Sequence, residues 1–116
     1  ARLPLDYLCP LDLPAAGTLT FVAPDRQRFP CLDLAYRALR AGGTMPAVLN
    51  AANEIAVERF LAEDLTYCEI PALVSAVMDA HEPAPASSLD VLLAADRWAR
   101  DAARSSGVEE RAAAQR

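Results

Sequence analysis

The chain has 116 residues, which is enough for one small domain with a single core and too few for two well-buried domains. Its apolar fraction is 53%, but much of that is alanine, which adds little burial and favours helix more than any other residue. The net charge is −5 and the eleven basic residues, all arginine, are scattered, which excludes the basic patch that binding to a nucleic acid or an anionic membrane needs.

The first thirty residues predict an extended arm. They contain five prolines, and each proline removes an N–H donor and restricts the residue before it, so a regular helix is disfavoured. After Gly17, the alternating residues 18–22 predict a short strand. The other strand candidate, residues 65–68, is short, and an isolated two-stranded pair is only marginally stable. We therefore expect the strand to pair with a sheet supplied from outside this chain.

From residue 31 the apolar period changes to about 3.6 and predicts four helices, over about 31–41, 45–63, 70–81 and 88–105. We expect Gly42-Gly43 to end the first helix, because glycine accepts the left-handed backbone of a helix end. Thr44 is the expected N-cap of the second helix. A capping-box pattern, with the Ser87 hydroxyl as acceptor, predicts the start of the fourth.

The predicted fold is mainly α: an extended proline-rich arm (1–30) with one short strand, then a small four-helix bundle-like domain (31–106). Residues 107–116 are expected to be a frayed or disordered tail. The predicted outer-face ion pairs are Asp33–Arg37, Asp96–Arg100 and Arg97–Asp101. The residues expected to face the core at helical spacing are Leu32, Ala35, Tyr36, Leu39, Val48, Leu49, Ala52, Ile55, Ala56, Phe60, Leu73, Val74, Val77, Met78, Val91, Leu92, Ala95, Trp98, Ala99 and Ala102.

The second helix carries a polar patch among its apolar residues. Asn50, Asn53 and Glu54 are spaced i, i+3, i+4 and therefore share one face. A buried polar group without a partner costs about 1–3 kcal/mol, so something must face this patch. The proline-broken backbone of the arm has free N–H and C=O groups. We interpret the three side chains as structural anchors of the arm to the second helix, with contact to a ligand as the alternative.

Candidate metal ligands are too widely spaced to predict a site. Cys9, Cys31, Cys68 and His81 lie more than four residues apart, and we interpret them as small thiols and a surface histidine. The absence of a C-x-x-C pair and of a secretory leader predicts a reducing, cytoplasmic location. No apolar run approaches the length that spans a bilayer.

Acid–base and phosphate-binding patterns are equally weak. Glu54 and Glu58 are four residues apart and could share a proton or hold a divalent ion, but a solvated pair is the more common outcome. Gly42-Gly43 lacks the Lys-Ser/Thr of a phosphate-binding loop. We therefore predict no catalytic, cofactor-binding or metal-binding residue in this chain.

A run of short motifs gives the chain a family resemblance. The motifs are Pro10-Leu11-Asp12-Leu13, Gly17-Thr18-Leu19-Thr20-Phe21, Pro24-Asp25, Arg28-Phe29-Pro30-Cys31-Leu32, Leu34-Ala35-Tyr36, Gly42-Gly43, Pro46-Ala47-Val48-Leu49-Asn50-Ala51-Ala52-Asn53-Glu54 and, more loosely, Ser87-Ser88-Leu89-Asp90 with Ala95-Asp96. In this order and spacing they closely resemble the C-terminal part of the 1-deoxy-D-xylulose 5-phosphate reductoisomerases. The resemblance spans nearly the whole chain, and its most specific stretch is 28–54.

The resemblance implies a homodimeric cytoplasmic enzyme of non-mevalonate isoprenoid synthesis. Such an enzyme converts 1-deoxy-D-xylulose 5-phosphate to 2-C-methyl-D-erythritol 4-phosphate with NADPH and a divalent cation (magnesium, manganese or cobalt). It further implies a nucleotide-binding domain and a catalytic domain, followed by a linking arm and a helical C-terminal domain. This chain resembles the last two, so no catalytic role carries over to any of its residues.

The chain begins at Ala1 rather than methionine, and we expect it to be a piece of such an enzyme that braces the catalytic domain and is inactive alone. The alternative is a free-standing helical protein-interaction module derived from the same domain. A third possibility is an independent metalloenzyme built on Glu54 and Glu58. The coding DNA upstream of Ala1 would distinguish the first two, and a chelator-sensitive melting temperature would favour the third.

Overall fold

The computed structural model of the protein describes residues 11–107. The helices are α1 (Leu13–Ala16), α2 (Cys31–Ala41), α3 (Met45–Leu61), α4 (Ile70–Asp79) and α5 (Leu89–Ser105), and a 3-10 turn covers Tyr67–Glu69. The fold is mainly helical, and residues 11–107 contain no strand. The expectations for residues 1–10, including Cys9, and for the tail beyond Gly107 concern residues outside the described range.

The predicted strand over residues 18–22 is absent. Residues 17–25 are irregular and exposed, and Phe21 keeps 87% of its surface accessible. The physical reason is that a strand needs a neighbour for its N–H and C=O groups, and nothing in the described chain lies alongside. Residues 65–68 are not a strand either. Thr66 and Glu69 form a capping box there that starts the 3-10 turn leading into α4.

The proline-rich segment contains one turn of helix, which the sequence did not predict. The Asp12 carboxylate accepts a hydrogen bond from the Ala15 backbone N–H at 3.1 Å, and Pro14 lies in the first turn. Proline is tolerated there because that N–H has no helical partner in any case. The Asp12 cap therefore stabilises this single turn of helix although the surrounding segment is rich in proline.

The long helix α3 is the centre of the fold, and α2, α4 and α5 all pack against it. Its buried face alternates small and branched residues, with Val48, Ala52 and Ile55 fully covered. The facing side of α5 buries only alanines, Ala95, Ala99 and Ala103, at i, i+4 spacing. Small side chains on α5 allow the two helices to pack closely along their length. The alanine-rich composition thus supplies the tightest interface of the fold.

Helix α4 buries the four residues predicted for it, Leu73, Val74, Val77 and Met78, together with Ile70. The α3 and α4 helices end at Leu61 and Asp79, each two residues before the predicted end. Past the end of α3, Glu63 adopts a left-handed conformation with φ 61°. The predicted helix could not include it, because a left-handed residue terminates the helical hydrogen-bond pattern.

Helix α2 packs on the core through a face that was not predicted. Ala38 is buried and Leu34 is packed against the core. Of the predicted stripe, Leu39 is 71% exposed and Tyr36 41% exposed. Two further aromatic residues predicted for the core, Phe60 and Trp98, are also partly exposed, at 37% and 38%. Helical spacing correctly identified one apolar face of α2. The helix has a second apolar face, with Leu34 and Ala38, and this second face is the one that packs against the core.

Candidate functional site

A polar cluster joins α3 to α5. The two carboxylate oxygens of Glu54 accept hydrogen bonds from the Asn50 amide at 2.8 Å and from the Arg100 guanidinium at 2.6 Å. Arg100 also donates from Nε and Nη2 to the two oxygens of Asp96, at 2.8 and 3.2 Å. The predicted Asp96–Arg100 pair is therefore confirmed. The contact between Glu54 and Arg100 was not predicted, because no local pattern relates residues 46 positions apart.

The hydrogen bonds of this cluster favour the charged forms of Glu54 and Arg100. The hydrogen bond from Arg100, then that from Asn50, lowers the pKa of the Glu54 carboxyl below its usual value. The hydrogen bonds to Asp96 and Glu54 raise the pKa of the Arg100 guanidinium. A carboxylate that stays ionised at neutral pH is a poor general acid, and one occupied by an arginine is not free to bind a cation. The arrangement suits a structural link between two helices.

The predicted anchors lie on the exposed side of α3. Asn50 is bonded to Glu54, and Glu54 contacts α5 through Arg100. Asn53 instead lines a cleft of about 220 Å³ that also includes Arg28, Phe29 and Pro30. Of the three residues, Asn53 is therefore the one that borders the end of the predicted arm. Anchoring of the arm to α3 stays a prediction.

A second polar cluster closes the corner between α2 and α3, and sequence reasoning missed it. The buried Thr44 donates its backbone N–H to the Ala84 carbonyl oxygen at 2.9 Å, and its hydroxyl accepts from the Ala84 N–H at 3.0 Å. The hydroxyl also shares a hydrogen bond of 2.8 Å with His81 Nε2. Thr44 occupies the N-cap position, but its hydroxyl makes no cap hydrogen bond and instead holds the linker between α4 and α5.

His81 is partly buried rather than a surface residue. Its ring packs against Trp98 of α5, with centroids 5.0 Å apart. The nearby Gly43 has φ 53°, and a Cβ there would collide with the Ala84 carbonyl oxygen. A doubled glycine before a threonine was a visible signal for a close backbone approach, but the sequence did not indicate which segment approaches.

A third contact, also missed, ties α3 to the end of α5. Arg59 donates from Nη1 to the backbone carbonyl oxygens of Ala103 and Ser106, at 2.9 and 2.8 Å, and from Nε to Asp64 at 2.7 Å. The last carbonyls of a helix have no partner inside the helix, so the guanidinium satisfies them and complements the helix dipole. An arginine near the end of α3 is a weak signal by itself, since most such residues are solvated.

Other predicted local contacts differ in detail. Asp33 pairs with Arg26 at 2.7 Å and Arg37 with Asp79 at 2.8 Å, rather than with each other. The N-cap of α5 is Ser88, whose hydroxyl accepts from the Val91 N–H, and not Ser87. The start of the helix was predicted to within one residue, and only the backbone geometry selects between adjacent serines.

The candidate metal ligands do not converge. Cys31 and Cys68 are free cysteines, and both residues are largely exposed. The small part of Cys31 that is shielded from solvent raises the pKa of its thiol. Across residues 11–107 no three side chains of His, Cys, Asp or Glu come together as a metal site would require. Glu58 is exposed on α3, one turn beyond Glu54. The described residues therefore do not fit a metal ion, and we derive no metal-dependent step from them.

Within the described part of the chain, no helix combines the length and the apolar character needed to cross a membrane.

Comparison with known proteins identifies the family. The sequence profile described as DXP reductoisomerase C-terminal domain matches residues 2–102. The 1-deoxy-D-xylulose 5-phosphate reductoisomerase of Symbiobacterium thermophilum is 55% identical over 114 residues, which cover 89% of this chain and 30% of the relative. That of Chlorobium phaeobacteroides is 58% identical over 94 residues, which cover 81% of this chain and 25% of the relative.

Solved structures agree with this family. The 1-deoxy-D-xylulose 5-phosphate reductoisomerase from Zymomonas mobilis in complex with NADPH matches with a TM-score of 0.76 and 42% identity, over 81% of this chain and 25% of that one. A DOX-P reductoisomerase with fosmidomycin and magnesium matches with a TM-score of 0.74 and 38% identity, over 84% of this chain and 26% of that one.

The chain thus spans between a quarter and a third of the length of these relatives. Because the profile covers residues 2–102 of 116, the chain belongs to the DXP reductoisomerase C-terminal domain family.

Proposed function

We propose that this chain is the helical C-terminal part of an NADPH-dependent reductoisomerase. The whole enzyme converts 1-deoxy-D-xylulose 5-phosphate to 2-C-methyl-D-erythritol 4-phosphate in non-mevalonate isoprenoid biosynthesis, in the cytoplasm and as a homodimer. The single observation that carries the proposal is the match of the C-terminal family profile to residues 2–102. Relatives at 55% and 58% identity that bear the reductoisomerase name support it.

In this proposal the chain is a scaffold and has no turnover of its own. The polar clusters among residues 11–107 support a structural role, because each joins one helix to another segment: Glu54 to Arg100, Thr44 to Ala84, and Arg59 to the end of α5. NADPH and the divalent cation, magnesium in one related structure, would be bound by the catalytic portion of the enzyme. No step of the reaction is assigned to a residue of this chain.

The division of the chain is part of the proposal. Residues 1–30 would be the linking arm and residues 31–106 the helical domain. All of residues 11–30 are exposed, which supports an arm that lies on another part of the enzyme. Residues 18–22 would form their strand only there, where a sheet edge offers the N–H and C=O partners that residues 11–107 do not provide.

The test is an assay of NADPH oxidation with the substrate and magnesium. The purified chain alone should show none. A chimera in which this chain replaces the corresponding part of the Symbiobacterium thermophilum enzyme should oxidise NADPH, because the two are 55% identical over the shared region. Turnover by the isolated chain would contradict the scaffold role, and an inactive but folded chimera would contradict membership in a working reductoisomerase.

A further inference from the structure

Helix α2 has two apolar faces, and among residues 11–107 only one of them packs against the core. Leu34 and Ala38 pack on the core. A second face consists of Leu32, Ala35, Tyr36 and Leu39, which we name the α2 stripe. These four residues follow the i, i+3, i+4, i+7 spacing of one continuous helical face. Leu32 is half-buried, but the other three are exposed, Leu39 by 71%.

A stripe of this kind differs from scattered surface leucines. Single exposed apolar residues are common on any protein and need no explanation. Two turns of apolar residues at core spacing, on a helix that already has a core face, make a continuous surface that favours contact with another apolar surface. The α2 stripe is therefore a candidate interface.

The rim of the stripe carries two arginines, one of which is already paired with a carboxylate. The guanidinium carbons of Arg26 and Arg40 lie 5.5 and 5.7 Å from the centre of the Tyr36 ring, one on residues 11–30 and the other on α2. The Arg26–Asp33 ion pair of 2.7 Å fixes the end of the exposed segment beside the helix. A partner that fits is apolar at its centre and carries a carboxylate at the edge that faces Arg40, because Arg26 is already paired with Asp33.

The area of the stripe favours a partner on the same polypeptide. A stable complex between separate proteins buries roughly 800 Å² on each side, far more than four side chains of one helix present. A covalently linked partner has an effective concentration in the millimolar range and can dock on a smaller surface. The chain spans only 25 to 30% of the length of its relatives, so most of such an enzyme lies outside it.

We propose that the α2 stripe is the surface on which the catalytic portion of the same enzyme docks, held in register by the Arg26 and Arg40 rim. This inference rests on the proposed function. Continuity supports it, because the stripe begins where the exposed segment 11–30 ends, and the contact of Arg26 with Tyr36 brings the two together. Helix α2 would then have both of its apolar faces buried, like the central helix of a larger core.

The test compares two substitutions in the full-length chimera described above. Leu39→Glu places a carboxylate at the C-terminal end of the stripe, on a residue that is 71% exposed in the described chain. Leu89→Glu is the matched control, because Leu89 is a leucine of similar exposure, 69%, on α5. We expect Leu39→Glu to reduce the rate of NADPH oxidation or the half-life at elevated temperature by about tenfold or more, because docking would bury the introduced carboxylate in an apolar contact. Leu89→Glu should change neither by more than about twofold.

Circular dichroism of the full-length Leu39→Glu chimera separates loss of docking from loss of folding. The helical signal at low temperature should match that of the unsubstituted chimera, because Leu39 is exposed in the helical part itself. Equal behaviour of the two variants in an active chimera would overturn the docking proposal and leave the proposed function standing. An inactive unsubstituted chimera would remove the proposed function and this inference together.

A second copy of the chain is the competing occupant. Sedimentation of the chimera and of its Leu39→Glu variant decides this point. If the variant changed the oligomeric state while each subunit kept its activity and thermal half-life, the stripe would be a contact between copies, and docking of the catalytic portion would be wrong.

Discussion

Gly43 is the residue whose identity is most tightly constrained by its surroundings. It has φ 53°, and its missing Cβ leaves room for the Ala84 carbonyl oxygen. We predict that Gly43→Ala lowers the free energy of unfolding by about 3 kcal/mol, since left-handed strain adds to a steric collision. Gly42→Ala is the control, because Gly42 has open space around it and would suffer only backbone strain, about 2 kcal/mol in the region at φ 66° and ψ −154° that essentially only glycine occupies. Equilibrium unfolding in urea measures both, and equal losses would contradict the role of Ala84.

Glu54 makes stability depend on pH. Its pKa is lowered in the folded chain, first by the hydrogen bond from Arg100, so folding favours the ionised form. The resulting stabilisation is present above the pKa of the unfolded chain and is lost as the pH falls through the lowered folded-state value. We predict that Glu54→Gln is less stable than the unsubstituted chain at pH 7 and that the difference shrinks as the pH falls below the usual glutamate pKa of about 4.3.

The control for this prediction is Glu58→Gln, one turn further along the exposed face of α3, where residues 11–107 provide no salt bridge. Urea midpoints at several pH values give the comparison. A Glu54→Gln difference that stays constant with pH would show that Arg100 does not stabilise the ionised carboxylate. The effect is expected to be small, because the Glu54 side chain is 51% exposed and solvent screens the pair.

Local sequence patterns correctly predicted one ion pair within a helix, but Asp101 pairs with Arg104 rather than with Arg97, and the contacts between helices were missed. The Asp96–Arg100 pair was predicted because its members are one turn apart. The partners of Arg59 and Thr44 were not, because they lie 44 and 40 positions away along the chain. No spacing rule connects such residues, and only the packing of helices brings them within hydrogen-bond distance.

At the scale of elements, the end of α5 depends on α3. Arg59 is only 15% exposed and satisfies two carbonyls at that end. We predict that Arg59→Met costs about 2 kcal/mol in the free energy of unfolding, because the carbonyls lose a charged donor. Amide exchange in the last turn of α5 should also become faster. Arg97→Met, on the exposed side of α5, is the control, and an equal effect of both changes would contradict the contact.

Helix positions follow from local chemistry, whereas the buried face does not. Glycine, proline and capping residues placed the four predicted helices within about two residues of their observed ends. The choice of face went wrong on α2, where the core takes Leu34 and Ala38 instead of the Tyr36 and Leu39 side. Amphipathic spacing states that a face is apolar but does not state which neighbour covers it.

At the scale of the whole molecule, the predicted arm can be tested by proteolysis. Asn53 borders the cleft that contains Arg28 and Phe29. If its amide anchors the arm, Asn53→Ala should speed tryptic cleavage after Arg26 and Arg28 by about fivefold, as the loss of roughly 1 kcal/mol of local stability would. The helical circular dichroism signal should not fall, since alanine suits a helix better than asparagine.

Asn50→Ala is the control for the arm, because Asn50 is bonded to Glu54 and does not line that cleft. It should leave the cleavage rate near that of the unsubstituted chain. If Asn53→Ala cleaves no faster than the control, the anchoring of the arm to α3 is wrong.

The sequence by itself determined that the chain is mainly helical, where its four longer helices lie to within about two residues, and which family it resembles, because propensity, capping and motif order are local properties of the residues. Tertiary structure alone decided that Glu54 meets Arg100, that Thr44 holds Ala84, and that the predicted stripe of α2 faces outward. These contacts depend on which surfaces meet when α2, α4 and α5 pack against α3. An apolar face or a polar side chain acquires its role from the neighbour that packing brings to it, and that neighbour is distant in the chain.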